Sequence, residues 1–220
     1  MRKLVEISEK YAIGLHNGCG HTYNDGPYEL HLKMVRDKVN EFKKYIHAHP
    51  YYGKDPKYAE AVEAGAWCHD TLEDCGITFN DLMKGTSRLV AEIVYNVSDD
   101  IGKDRTERRL KTLARTRQNP LSVFLKLCDL YSNTYFSKES GSGMFKKYKK
   151  EYPMVRYALK GSDWPEIWAE MDDLYEYGPV LEWLGERPAN PDVIAINIEN
   201  ATTEELANAI KKISQAQGNM

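Results

Sequence analysis

Between residues 28 and 46 the apolar positions Leu32, Val35, Val39, Phe42 and Ile46 fall three and four apart, the spacing that collects them on one face of a helix. Pro27 stands just before this run, where a helix can begin without losing a hydrogen bond. The same period predicts further helices over 57–72, 86–97, 104–117, 120–137 and 144–160, and almost no stretch alternates apolar with polar in the manner of a strand. The fold class this implies is all-α. A local cue adds a short helix, since Thr78 followed by Asp81 in "ITFNDL" fits a capping box.

The stretches 16–27, 47–56 and 137–144 break the pattern with Gly, Asn, Asp, Pro and Ser, the residues that supply turns. Loops of this length often border sites. After residue 160 the chain turns aromatic and acidic, then β-prone over 192–198, then helical again from Thr202 or Thr203. Residues 1–160 are therefore expected to form the main domain, and 161–220 a small C-terminal helical extension suited to docking a partner.

Length and composition narrow the functional classes. The 220 residues suffice for one well-buried domain. With 33 acidic side chains against 30 basic ones, no global field draws in a nucleic acid polymer or an anionic membrane, so any phosphate must be bound locally. No run of eighteen apolar residues appears, and the N-terminus mixes charge with apolar residues instead of building a signal core. A cytoplasmic protein is expected, with its oligomeric state open. Cys19, Cys68, Cys75 and Cys128 form no C-x-x-C pair and read as buried free thiols.

One stretch resists a purely structural account. "AGAWCHDTLEDCG", residues 64–76, sets His69, Asp70, Glu73 and Asp74 within six positions. On a continuous helix those spacings would put one imidazole and three carboxylates on one face, where like charges destabilise one another. A positive partner is required, and a divalent ion suits a mixed imidazole and carboxylate donor set. Further ligands must come from elsewhere. His31 lies one turn inside the helix opened by Pro27, although taken alone it reads equally as a core-edge histidine. Asp129 interrupts the apolar run "FLKLCDLYSN", and carboxylates are almost never fully buried unless paired.

The order His31, His69-Asp70, Asp129 resembles the H…HD…D signature of the HD-domain metal-dependent phosphohydrolases. Within them, "HDTLEDCGITFNDL" is similar to the HD-x-x-ED segment of the RelA/SpoT-type alarmone hydrolases and their small single-domain relatives. "GPYELH", "VAEIVYNVSD" and "LKLCDLYSN" resemble other segments of that group in the same order, over residues 5–160. The resemblance implies an HD-domain helical bundle. It implies His31, His69, Asp70 and Asp129 as ligands of Mn²⁺, Glu73 and Asp74 as the catalytic acids that orient and deprotonate a metal-activated water, and Asn133 beside the nucleotide substrate. The implied reaction is hydrolysis of the 3′-pyrophosphate of ppGpp or pppGpp. The alternatives are a dNTP or nucleoside monophosphate phosphohydrolase, or a non-catalytic metal- or nucleotide-binding module.

The departures fall on substrate recognition. Where the group carries basic residues ahead of the Pro-Tyr segment, this chain reads "GCGHTYNDG", with no Arg or Lys between Lys10 and Lys33. Replacement phosphate contacts are expected from the basic stretch 103–118, with Arg109 and Lys111 as the substrate-binding candidates. His16 and His21 are further candidates for the lining of the substrate pocket, whereas His47 and His49 read as surface-loop residues.

Overall fold

The computed structural model describes residues 2–161 and 163–177. The element order is α1 (Arg2–Gly18), a hairpin of β1 (Thr22–Tyr23) and β2 (Gly26–Pro27), α2 (Glu29–Ala48), α3 (Lys57–Cys68), α4 (Thr71–Asp74), α5 (Phe79–Gly85), α6 (Arg88–Val97), α7 (Arg105–Thr116), α8 (Pro120–Glu139), α9 (Met144–Leu159) and α10 (Pro165–Leu174). The described chain is all-α apart from that two-stranded hairpin. Among the described residues, no helix is long and apolar enough to cross a membrane.

The expected apolar face of α2 is the buried one: Leu32, Val35, Val39, Phe42 and Ile46 are fully inaccessible. It lies on α3, which also packs against α1, α6 and α8 and so forms the central rod of the bundle. Its "AEAVEAGAWC" sequence suits that place, because small side chains let neighbouring helices approach on several sides. At Gly65 even an added Cβ would meet the Leu125 side chain at 3.3 Å.

Caps account for several boundaries. Thr78 and Asp81 form the expected capping box with both hydrogen bonds made. Ser87, Asp104 and Asn119 accept from the first turns of α6, α7 and α8, each satisfying an amide that the helix itself leaves unpaired.

Two differences from the sequence expectation matter. The first helix, α1, was not foreseen and runs into the stretch read as irregular from residue 16. The expected helix over 57–72 also stops at Cys68, and His69 and Asp70 form a turn before the short α4. The break has a local cause. The Thr71 hydroxyl donates to the Cys68 carbonyl at 2.7 Å and His69 Nδ1 bonds the Ala66 carbonyl at 2.8 Å, so side chains take over carbonyls at the helix end. The thiols divide as well: Cys68 and Cys128 are buried as expected, but Cys19 is exposed in the turn after α1 and Cys75 is half-buried.

The described part of the expected extension shares the main core. Ile167, Trp168 and Met171 of α10 are buried and α10 packs on α8. Asp172 accepts from Tyr152 and from both Nε and Nη2 of Arg156. The β-prone segment 192–198 and the helix expected from Thr202 or Thr203 lie outside the described residues.

Candidate metal centre

Three helices deliver donors to one point. His31 sits in the first turn of α2, His69 caps the end of α3, and Asp129 lies in the middle of α8. One nitrogen or oxygen from each falls within 4.8 Å of the others, and all three residues are buried. The two imidazoles face each other through Nε2 atoms 3.0 Å apart. Asp129 Oδ1 lies 3.6 Å from His31 Nε2 and 3.7 Å from His69 Nε2. Asp70 joins them from the turn, with Oδ2 at 2.9 Å from His69 Nε2 and 3.4 Å from His31 Nε2.

This donor set fits a divalent ion. Donors about 2.1 Å from a shared ion and at right angles to each other lie about 3.0 Å apart, against 2.9–3.7 Å for these pairs. Because His69 Nδ1 donates to the Ala66 carbonyl, its Nε2 is left with a lone pair directed at the cluster. Two imidazole nitrogens aimed at each other need a cation or a proton between them. The C-terminal end of α3 adds a partial negative charge at the same place.

Surrounding residues fix the acids. Tyr28 donates to Asp70 Oδ2 at 2.6 Å, Asn133 Nδ2 donates to Asp129 Oδ1 at 2.6 Å, and Lys126 Nζ donates to Asp129 Oδ2 at 3.2 Å. The Tyr23 ring stacks on His31 with centroids 4.9 Å apart, and its hydroxyl reaches Asn133 Oδ1 at 3.4 Å. Asn24 and Asp25, both at positive φ, make the tight hairpin turn that brings Tyr23 there. His16 and His21 share an Nδ1–Nδ1 contact of 3.1 Å and both stack on Tyr28, so the segment that replaces the expected basic residues supplies aromatic rings.

Electrostatics follow from this crowding. Burial alone would lower the pKa of His69, but Asp70 and Asp129 and the bond to Ala66 push it up to about 9. Burial acts on Asp70 in the opposite sense, yet the two imidazoles hold it well below the usual carboxylate range. Glu73 exposes part of its side chain, but desolvation pushes its pKa up to about 7, with Lys126 opposing and Asp70 adding to the rise. Its Oε1 accepts from the Asp99 amide at 2.8 Å. Asp74 is raised by desolvation and then by Asp70, and lies 3.8 Å from His21 Nδ1. His16 is lowered to about 4 by burial.

Of the other expected site residues, Asn133 contacts Asp129 directly. Arg109 is engaged by Glu151 at 2.6 Å. Lys111 bonds Glu107 and the Ile101 carbonyl, partners outside the His–Asp cluster. His49 is tied to Asp163 at 3.1 Å and packs on Trp164, a structural post. Tyr28 and Lys126 were missed, and their signal was positional: each lies three residues before a ligand, one turn away on the chain. Two surface grooves of about 610 and 510 Å³ contain none of the cluster residues. No family model matches the chain, and no curated protein resembles it in sequence.

Proposed function

We propose that this chain is a metal-dependent phosphohydrolase of the HD type acting on a nucleotide, with the 3′-pyrophosphate of a guanosine alarmone as its target and Mn²⁺ as its ion. The observation that carries the reading is the convergence of His31, His69, Asp70 and Asp129, with Glu73 three residues beyond Asp70. When bound, a divalent ion supplies Lewis acidity toward a phosphoryl oxygen and acidifies a water.

The side chains divide the remaining work. His31, His69, Asp70 and Asp129 hold the ion, while Tyr28 and Asn133 fix two of the carboxylates. Glu73, held by the Asp99 amide and raised to about 7, is suited to take a proton from the attacking water near neutral pH. Asp74, on the same turn, is the second acid.

The neighbouring dNTP or nucleoside monophosphate reading draws on a different observation. Basic side chains expected at the substrate are already paired, Arg109 with Glu151 and Arg115 with Asp100, and residues 16–28 offer His and Tyr rings instead. One experiment addresses both. Purified protein with Mn²⁺ is assayed on ppGpp, pppGpp, dNTPs and nucleoside monophosphates beside Asp70→Ala and Glu73→Ala. The expected outcome is Mn²⁺-dependent turnover lost in both variants. Activity confined to dNTPs or monophosphates moves the substrate, and none on any compound removes the enzyme reading.

A further inference from the structure

Lys126 sits one turn before Asp129 on α8. Its ammonium donates to Asp129 Oδ2 at 3.2 Å, while Asp129 Oδ1 faces the two histidines. Glu73 and Asp70 are the next carboxylates that act on it. The side chain is 19% exposed, half-buried beside the cluster. An ammonium carries three N–H donors, and Asp129 takes one of them.

For the sole purpose of holding a cation, this lysine is in the wrong place. It competes with the ion for a ligand carboxylate and repels it across a short distance. Its position makes sense where an anion must be gathered beside the ion. Three basic side chains of α7 have acidic partners of their own: Arg109 and Arg105 meet Glu151, and Arg115 meets Asp100 and the Ser98 carbonyl.

We propose that Lys126 Nζ is the anion anchor of the site, taking a phosphoryl oxygen of the substrate with the N–H groups that Asp129 leaves over. The inference rests on the hydrolase reading for the ion but not on which nucleotide is cleaved. It also explains a site whose hairpin carries no basic residue: one ammonium inside the cluster replaces charges outside it.

The test uses the full chain and two probes read by calorimetry, Mn²⁺ alone and inorganic phosphate added to protein saturated with Mn²⁺. Lys126→Met is expected to bind Mn²⁺ at least as tightly as the wild type, because a repelling charge has gone. Its phosphate affinity is expected to fall by about 10–100-fold, the worth of a charged hydrogen bond, and Lys126→Arg to retain most of that affinity. Lys126→Gln gives the same reading should the methionine variant fail to fold. Phosphate affinity unchanged at saturating Mn²⁺ overturns the anchor and leaves Lys126 as a support for Asp129, with the hydrolase reading intact. Absence of Mn²⁺ binding to the wild type overturns both.

Discussion

His69 uses both ring nitrogens, one on the Ala66 carbonyl and one toward the cluster, and Asn133 holds the Asp129 oxygen that faces the two histidines. Such outer partners orient ligands, and removing one typically costs about 10–100-fold in metal affinity. Asn133→Ala is therefore expected to weaken Mn²⁺ binding within that range without unfolding the protein, as read by metal titration beside circular dichroism. A change below twofold would show that Asp129 holds its orientation without Asn133. At this scale the sequence was informative where residue type is unusual for its surroundings: an acid at 129 amid Leu127, Cys128 and Leu130 had to be paired. For Tyr28 and Lys126 it gave only a position one turn from His31 and Asp129, which is ordinary for a tyrosine or lysine until the rotamer is known. Helical spacing likewise selected Arg109 and Lys111 without saying which acids they meet, Glu151 and Glu107.

Helix identity was legible from period, and the breaks were not. The buried positions of α2 are those the spacing selects, whereas the interruption at His69-Asp70 comes from two side-chain hydrogen bonds to carbonyls that leave the apolar pattern unchanged. What hid α1 is the type of residue it buries, since Ser8, Ala12 and His16, four apart on the face toward the core, are small or polar where α2 has large apolar side chains. Close packing around α3 gives a sharper expectation. Gly65 lies against Leu125, Ile93 and Val94, and overpacking a filled core costs about 1–3 kcal/mol. Gly65→Val should lower the unfolding free energy by about that amount in denaturant titrations. A variant as stable as the wild type would mean that α3 and α8 can move apart freely.

Across the described residues, the clustered donors come from positions 31, 69 and 129, and their meeting could be anticipated only from the motif order, never from local pattern. Their meeting couples stability to pH in two opposite ways. In the metal-free protein His69 rises from 6.5 to about 9, so its contribution is complete below pH 6.5 and is lost as pH climbs through 9. Asp70, held below 3.8, contributes above that value and loses its share in stronger acid. The cluster therefore stabilises the metal-free chain most between pH 3.8 and 6.5. Metal binding needs the unprotonated imidazole, so stabilisation by Mn²⁺ should grow over the range where metal-free stability declines. Thermal melts with and without Mn²⁺ from pH 5 to 9 check this, and a Mn²⁺ increment that shrinks toward pH 9 would count against the histidines as ligands.

The way α10 is fastened has a practical side. Tyr175 meets Thr134 at 2.6 Å on the helix that also carries Asp129 and Asn133, Trp164 donates to the Pro120 carbonyl at that helix's start, and Trp168 is buried beside them. A shortened version ending at residue 160 would strip two indoles from the back of α8 and leave an adhesive apolar scar. Any truncation meant to preserve the arrangement of Asp129 has to retain Trp164, Trp168 and Tyr175.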